Sequence, residues 1–268
     1  MSGLLPLKSG KILCSNVHYF YYDADCFFTH MQENGWREAE LYLGTPHIFI
    51  DSNVIDDFAQ IPLLAFKHNV RITDVHPETI SFRHHLCSLD AAWNQSSLQT
   101  YRNVIRYASQ IGAESVNTNL TGAFRDLDQE KIFESLRQNL QHLAVYAEEK
   151  RVFLTLEAES PRYEGFICNL AQIQRLDTEI DSPVLRFGVN VDALEDAGET
   201  LVDWEKAFGD RIRYLRFSSI ESFQKIYPQL NGTAWLSRRI IFSFQDDCYL
   251  EQPYVFDRML KEAVYGVD

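Results

Sequence analysis

The sequence predicts an α/β protein built as a (β/α)8 TIM barrel with eight parallel strands. Short apolar runs of strand type alternate with longer stretches of helical spacing, which is typical of parallel strands covered by helices. Eight such units in 268 residues indicate a closed barrel more than a doubly wound sheet. No linker or charge block divides the chain, so we expect one domain over 1–268. No G-x-G-x-x-G follows the first predicted strand, which argues against a dinucleotide-binding sheet.

The predicted strands are short runs in which apolar side chains dominate. Strands of a parallel sheet are buried on both faces, which explains why few polar residues interrupt these runs. In chain order the predicted strands cover 11–15, 39–43, 70–75, 114–119, 152–157, 186–192, 212–217 and 240–244.

Apolar residues at helical spacing predict helices in five of the other stretches. Gly35 and Gly112 stand where helices commonly end, and Asp126 or Asp128 caps the fourth helix. Pro62 lies inside the second pattern and argues against part of it. The predicted helices cover 23–34, 54–69, 98–111, 129–147 and a segment that opens at Pro253.

Two stretches have a weaker pattern. Residues 220–239 predict only a short or irregular helix. The sequence "PETISFRHHLCSLDAAWNQSS", from 77 to 97, predicts a long loop. Its aromatic and histidine content would suit a lid over a ligand.

Composition restricts the classes of partner. With 25 Lys and Arg against 38 Asp and Glu, the net charge is −13 and no basic run is present, so we expect no nucleic acid and no membrane as partner. No stretch has the roughly 18 apolar residues of a membrane span, and the first residues lack a signal-peptide pattern. Five scattered cysteines without C-x-x-C spacing argue against a disulfide framework or a structural zinc site. These features predict a cytoplasmic protein.

The carboxyl ends of the predicted strands carry the candidate site, because active sites of such barrels are built at that end. Almost all of these end residues are polar or ionisable, whereas the strand starts are mostly apolar. A single carboxylate at a strand end is often a helix cap or half of an ion pair, so the polarity of the whole rim is the informative observation. The rim residues are Asn16, Tyr42, His76, Asn117 or Asn119, Glu157, Asp192, Arg216 and Gln245.

Arg216 is the unusual member of this rim, because it follows an apolar run in "RYLRFSS". Side chains alternate between the two faces of a strand, so Arg216 shares a face with Tyr214, which we expect in the core. By the same rule Asn190 shares a face with Asp192 on the preceding predicted strand. A buried arginine without a partner would cost several kcal/mol. If Arg216 points inward, it therefore pairs with Glu157, with Asp192 or with an anionic ligand.

Five segments resemble one family of barrels. They are "EAELYLG", "YASQIGAESVNTN", "LTLEAES", "FGVNVDAL" and "AFGDRIRYLRFSS". In this order and spacing they are similar to the xylose isomerase-like TIM barrel superfamily, which includes sugar phosphate isomerases and epimerases and family 2 AP endonucleases. The resemblance extends from about residue 11 to about residue 265, and it implies the same fold.

The resemblance also implies a metal site. Members of the family typically hold a divalent cation on Glu, Asp, His and Glu of strands five to eight; the cation polarises a sugar carbonyl while carboxylates move a proton. Glu157 and Asp192 match the first two ligands, and Gln245 or Glu251 matches the fourth. Arg216 stands at the histidine position, and arginine cannot bind a metal. All eight histidines lie in the first 142 residues, so no imidazole is available there and a histidine-rich trinuclear zinc site is excluded.

Three hypotheses about function stay open. The first is a carbohydrate isomerase or epimerase with a divalent metal (Mn, Co, Mg or Zn) on Glu157, Asp192 and Gln245 or Glu251. The second is a metal-free relative in which Arg216 stabilises enediolate charge while Glu157 acts as the base. The third is a barrel without catalysis that binds a sugar-like ligand or a partner subunit.

The enzyme hypotheses assign roles to the rim residues. Glu157 and Asp192 are the expected catalytic residues, and the expected partner is a small carbohydrate or sugar phosphate. A homo-oligomer is compatible with the sequence. The expected substrate-binding residues are Arg216, His76, Asn117, Asn119 and Gln245.

Overall fold

The strands close into a parallel barrel. The computed structural model describes residues 12–56, 59–78, 85–163, 165–230 and 233–243. Each strand pairs with the next in chain order, and the last strand pairs with the first. The predicted (β/α)8 TIM barrel is therefore confirmed. The strands are β1 Ile12–Ser15, β2 Glu38–Leu43, β3 Arg71–Pro77, β4 Ser115–Asn119, β5 Phe153–Glu157, β6 Leu185–Asn190, β7 Ile212–Phe217 and β8 Arg239–Phe242.

Helices form the outer layer, and local capping defines where several of them begin and end. Asp23, Asp90 and Asp128 accept hydrogen bonds from first-turn amides of three helices. Gly35 and Gly112 end two of them with φ of 77° and 75°, which favours glycine. No helix of the described residues is long and apolar enough to cross a membrane. The helices are α1 Ala24–Asn34, α2 Gln60–Lys67, α3 Ala91–Ile111, α4 Gln129–Lys150, α5 Leu170–Ile180, α6 Val191–Ala197, α7 Leu201–Phe208 and α8 Ile220–Leu230.

The prediction of one long loop over 77–97 is wrong. α3 begins at Ala91, before its predicted start at Leu98. Asp90 is the N-cap of this helix, because its side chain accepts a hydrogen bond from the Trp93 amide at 2.9 Å. The first turns of α3 are rich in polar residues, which hid the helical period in the sequence.

Prolines lie inside two helices without breaking them. Pro62 is the third residue of α2, in the first turn, where a backbone N–H would have no intrahelical acceptor. α2 is nevertheless shorter than the predicted 54–69, since Ile55 lies in a bridge to Ile50. In the stretch 220–239, α8 is a regular helix with Pro228 near its end. It is held by its buried face, which consists of Phe223, Ile226, Tyr227 and Leu230.

The main hydrophobic core lies between the barrel and its helices. Leu215 and Phe217 of β7 belong to this outer core. Within the described chain, a separate small apolar cluster contains Leu13, Tyr214 and Ile241 from three neighbouring strands. Barrels of this class usually fill their interior with branched apolar side chains. Here buried charged side chains lie above and below this small cluster, so ion pairs fill part of the interior that apolar side chains usually fill.

One set of ion pairs lies at the amino-terminal end of the barrel. Glu114, the residue before β4, accepts from Arg213 at 3.1 Å and from Arg239 at 2.9 Å. Arg213 also donates to the buried Asp74 at 3.1 Å, and Arg239 donates to Glu38 at 3.2 Å. Hydrogen bonding to Arg239 is the largest factor that holds the pKa of Glu114 down at about 2. This network connects β2, β3, β7 and β8 at the end opposite to the predicted active site.

Candidate functional site

Five polar side chains from four strands meet near the carboxyl end of the barrel. They come from β2, β4, β5 and β7, which are adjacent or opposite in the closed sheet. Two of these side chains, Glu40 and Arg216, are 176 residues apart in the chain and still form hydrogen bonds. We call this cluster the arginine centre; it consists of Glu40, Asn117, Glu157, Tyr214 and Arg216.

Arg216 is bound by a carboxylate on each side. Its Nη1 and Nη2 donate to the two oxygens of Glu40 at 3.0 and 2.7 Å, and its Nε lies 2.8 and 2.9 Å from the oxygens of Glu157. The side chains are 7% (Arg216), 2% (Glu40) and 3% (Glu157) exposed. Burial lowers the pKa of Arg216, but the charges of Glu157 and Glu40 outweigh it and raise that pKa well above its usual value. Glu157 is one of the partners that the sequence left open for Arg216, beside Asp192 and an anionic ligand.

Tyr214 fixes the second side of Glu157. Its hydroxyl donates to Oε2 of Glu157 at 2.5 Å. The tyrosine ring has room because residue 188 is glycine: a Cβ on Gly188 would lie 2.3 Å from Cε2 of Tyr214. Four donor contacts therefore converge on the two oxygens of Glu157: two from Nε of Arg216, one from the tyrosine hydroxyl and one from Nδ2 of Asn190 at 3.4 Å.

Glu40 is ionised in the folded protein. Burial opposes its ionisation, but the charge and hydrogen bonds of Arg216 outweigh burial, and the pKa of Glu40 falls to about 2. Asn117 adds a hydrogen bond from its Nδ2 to Oε1 of Glu40 at 2.7 Å. The centre thus contains a buried carboxylate that remains charged over the whole physiological pH range.

A further buried carboxyl group, Glu159, lies beside the arginine centre. Its Oε1 accepts from Nδ2 of Asn190 at 3.1 Å and from the Ser160 amide at 2.9 Å. Burial, followed by the negative charge of Glu157, raises the pKa of Glu159 to about 8. At neutral pH most molecules therefore carry Glu159 as the neutral acid.

Asp192 lies in the first turn of α6 and not on a strand. β6 ends at Asn190, whose Oδ1 accepts from the amides of Asp192 at 3.0 Å and Ala193 at 3.4 Å and so begins the helix. The predicted strand 186–192, with Asn190 and Asp192 on one face, is therefore wrong at its end. The half-buried carboxylate of Asp192 has no hydrogen bond or ion pair within the described part of the chain.

The other rim residues have local partners. His76 stacks on Tyr42 with ring centroids 5.8 Å apart, and its Nδ1 lies 2.9 Å from the carbonyl of Pro77. Burial lowers the pKa of His76, so its ring is neutral at neutral pH. Asn16 accepts from the Tyr42 amide at 2.6 Å and donates to the Tyr42 carbonyl at 3.1 Å. These contacts connect the ends of β1, β2 and β3.

Some predicted site residues have no described side chain. The backbone of Asn119 pairs with Glu157 at the end of β4, and this pairing is all that is described of Asn119. Gln245, Glu251 and the helix predicted from Pro253 lie outside the described residues.

Sequence reasoning missed Glu40, Glu159 and the polar role of Tyr214. Glu40 stands in the middle of "EAELYLG", where a carboxylate in a buried strand requires a cationic partner. A buried carboxylate that needs a cation and a buried arginine that needs anions could have been matched, and this match would have indicated the pair of Glu40 and Arg216. Glu159 follows Glu157 at a spacing of two, which is the strand period, and this spacing was the signal for a second inward carboxyl group.

The described residues contain no group of three His, Cys, Asp or Glu side chains that could hold a metal ion. At the position of β7 where the resemblance placed a histidine ligand, the guanidinium of Arg216 has no lone pair to offer. It also occupies both oxygens of Glu157.

Comparison with known proteins agrees with this architecture. Residues 28–226 match the family described as "Xylose isomerase-like TIM barrel", which is more than half of the chain. The chain belongs to this family. The resemblance found in the sequence is thereby confirmed.

The proteins that are similar to this chain in sequence or in structure include carbohydrate epimerases. The fructoselysine 3-epimerase of Shigella flexneri is 24% identical over 213 residues, which cover 78% of this chain and 75% of that protein. The 3-keto-D-glucoside 4-epimerase of E. coli has a TM-score of 0.72 at 11% identity, covering 94% of this chain and 99% of the other. The D-psicose 3-epimerase of Clostridium cellulolyticum has a TM-score of 0.71 at 10% identity, covering 95% and 96%. At these identities the two structural likenesses show the shared fold.

Proposed function

We propose that this protein is a carbohydrate isomerase or epimerase that moves a proton at a carbon beside a carbonyl, without a divalent cation at the position its family uses. Membership of the xylose isomerase-like family and the epimerases among its relatives support the reaction class. The observation that carries the metal-free part is the guanidinium of Arg216, bonded to both oxygens of Glu157 and both oxygens of Glu40.

A cation would have to displace that guanidinium. Arg216 is permanently charged and lies within 3 Å of oxygens of both carboxylates, so a metal ion bound to Glu157 would meet a like charge at close range. The residues around Arg216 therefore do not fit the metal site of the family. The positive charge that stabilises developing enediolate charge is instead supplied by the protein itself.

Asp192 is the better candidate for the base. Both oxygens of Glu157 already accept hydrogen bonds from Arg216, and Oε2 also accepts one from Tyr214, so the carboxylate is directed at these side chains and away from a substrate. The carboxylate of Asp192 is half-buried at the rim and has no partner within the described residues. Glu157 then positions Arg216, while Asp192 exchanges the proton with the substrate.

Deuterium exchange tests this proposal. The protein is incubated in D2O and EDTA with a panel of ketoses and ketose phosphates, and loss of the substrate C–H signal is followed by NMR. We expect exchange to survive EDTA and to fall about 100-fold or more in Asp192→Asn. Glu195→Gln, which removes a surface carboxylate of the same helix paired with Lys225, is the matched control and should exchange normally. Exchange that disappears in EDTA and returns with manganese would refute the metal-free part.

A second function is favoured by the same geometry. The donors of Arg216 are directed at the protein's own carboxylates, and the oxygens of Glu157 already accept hydrogen bonds, as expected for a barrel that binds a sugar-like ligand or a partner without catalysis. In that case wild-type protein shows no exchange with any sugar of the panel, yet a sugar raises its Tm.

The ligand, the cellular compartment and the oligomeric state of the protein are further parts of the proposal. We propose a carbohydrate or sugar phosphate as the small-molecule partner, and neither nucleic acid nor a membrane, on the basis of the net charge of −13. Among the described residues, Cys14, Cys26, Cys87 and Cys168 form no disulfide bond, which supports a reducing compartment such as the cytoplasm. Size-exclusion chromatography with light scattering would test for the homo-oligomer.

A further inference from the structure

An open cavity of about 430 Å³ lies at the amino-terminal end of the barrel, opposite to the arginine centre. It is bounded by the first residues of β6, β7 and β8 and by the segments that precede β7 and β8. Four of its lining side chains are arginines, whereas two are acidic. These residues are Arg186, Arg213, Arg238 and Arg239, with Glu38 and Asp210. A concentration of arginine is unexpected in a chain whose net charge is −13.

Among the described residues, Arg186 is the arginine of this cavity that has no carboxylate partner. Its Nη1 donates to the carbonyls of Pro183 at 2.8 Å and Leu185 at 2.7 Å. Within the described residues its guanidinium forms no ion pair with a carboxylate. Burial, and then the charges of Arg213 and Arg211, lower the pKa of Arg186. The side chain thus stands in a field of like charge.

An aromatic ring takes the place that a carboxylate would normally occupy. The guanidinium carbon of Arg186 lies 3.9 Å from the ring centroid of Phe153, and that of Arg213 lies 5.6 Å from the same centroid. Cation–π contacts stabilise a guanidinium without neutralising it. Two cationic side chains are therefore held beside one ring.

The neighbouring arginines have unused donors. Nε of Arg213 and Nε of Arg238 are buried and have no hydrogen-bond partner within the described chain. Arg213 and Arg239 both donate to Glu114. The other acceptor of Arg213 is Asp74, and burial raises the pKa of this carboxyl group. Two buried N–H groups of the lining arginines are therefore unmatched at this end of the barrel.

We propose that this cavity is a binding site for a small anion that carries a phosphate group, separate from the arginine centre. Guanidinium groups bind phosphate through two parallel N–H···O bonds, and several arginines around one cavity provide such pairs. A phosphate there neutralises Arg186, the one lining arginine without a carboxylate partner among the described residues. The volume is large enough for a phosphorylated sugar or pyrophosphate.

Thermal unfolding of the full chain tests the site with pyrophosphate as the probe. Because a ligand that binds the folded state raises stability with concentration, we expect about 1 mM pyrophosphate to raise Tm by about 3 °C or more at constant ionic strength. Inorganic phosphate should do the same at higher concentration. Arg186→Gln should lose most of this increase, and Arg186→Lys should keep part of it. Arg106→Gln removes an exposed arginine of α3 with the same change of charge, and it should respond as the wild type.

Amide hydrogen exchange locates the bound anion. We expect pyrophosphate to protect the segments 183–187 and 210–213, and to leave the segments 157–160 and 190–193 of the rim unchanged. Protection at the rim, an equal response of Arg186→Gln and wild type, or an equal response to chloride at the same ionic strength would each overturn the proposal. None of these readouts depends on catalysis, so the result is independent of the proposed function.

Discussion

Replacement of Glu40 by glutamine tests how much the arginine centre stabilises the barrel. Burial raises the pKa of Glu40, yet Arg216 outweighs burial and lowers it from 4.5 to about 2. One pKa unit corresponds to about 1.4 kcal/mol, so ionised Glu40 contributes about 3 kcal/mol at pH 7. Loss of one partner of a buried ion pair costs about 3–5 kcal/mol in other proteins, which is the same range. We expect Glu40→Gln to lose about 3 kcal/mol of unfolding free energy, or about 6–10 °C in Tm.

The effect of Glu40→Gln should decrease in acid. A carboxylate whose pKa is lower in the folded state stabilises the fold above its unfolded pKa and loses this contribution as the pH falls through the folded pKa. With values of 4.5 unfolded and about 2 folded, the contribution of Glu40 falls from about 3 kcal/mol at pH 7 to about 2 kcal/mol at pH 3.5. Urea unfolding followed by circular dichroism at both pH values measures this difference.

Glu134→Gln is the control for Glu40→Gln. Glu134 also pairs with an arginine, Arg137, but on the surface of α4, where solvent screens the pair. We expect no measurable change in its unfolding midpoint. Equal stability of Glu40→Gln and wild type at pH 7, or a loss that is the same at both pH values, would refute the assigned role of Glu40.

Three further substitutions probe the same centre. Gly188→Ala places a methyl group against the Tyr214 ring and should cost about 1–3 kcal/mol in urea unfolding; an unchanged midpoint would contradict the close contact. Tyr214→Phe should cost about 1.5–3 kcal/mol, since it removes the hydroxyl donor to the Glu157 carboxylate. Arg216→His leaves two carboxylates facing each other and should cost about 3–5 kcal/mol at pH 7. Manganese should raise the Tm of this last variant and not that of wild type; equal responses would argue against the metal-free centre.

The sequence predicted the barrel because its strands are buried on both faces and therefore read as continuous apolar runs. The predicted strand over 212–217 coincides with β7, and the others differ by a few residues at their ends. The end of β6 was misplaced because Asn190 caps a helix that begins immediately after the strand. Such a cap is a local hydrogen bond that apolar periodicity does not reveal.

The arginine centre was less predictable, because its contacts connect distant parts of the chain. The rule that a buried arginine needs anions correctly pointed from Arg216 to Glu157. Glu40 was not found, since nothing within β2 indicates that β7 lies opposite to it across the interior. The partner of a buried charge becomes visible only when strand order and register are known.

An arginine at residue 216, where the family resemblance implies a histidine, gives the rim a different charge balance from the one that the resemblance implies. The family site that the sequence resembles combines a dication with a neutral imidazole, whereas Arg216 supplies a single positive charge. Glu40 and Glu157 both remain bound to that one cation. The rim therefore carries less positive charge than the metal site that the resemblance implies, although several carboxyl groups meet there. Glu159, whose pKa rises to about 8 through burial and the charge of Glu157, compensates by holding its proton at neutral pH. Arg216 and a neutral Glu159 together reduce the repulsion among the carboxyl groups that meet at this rim.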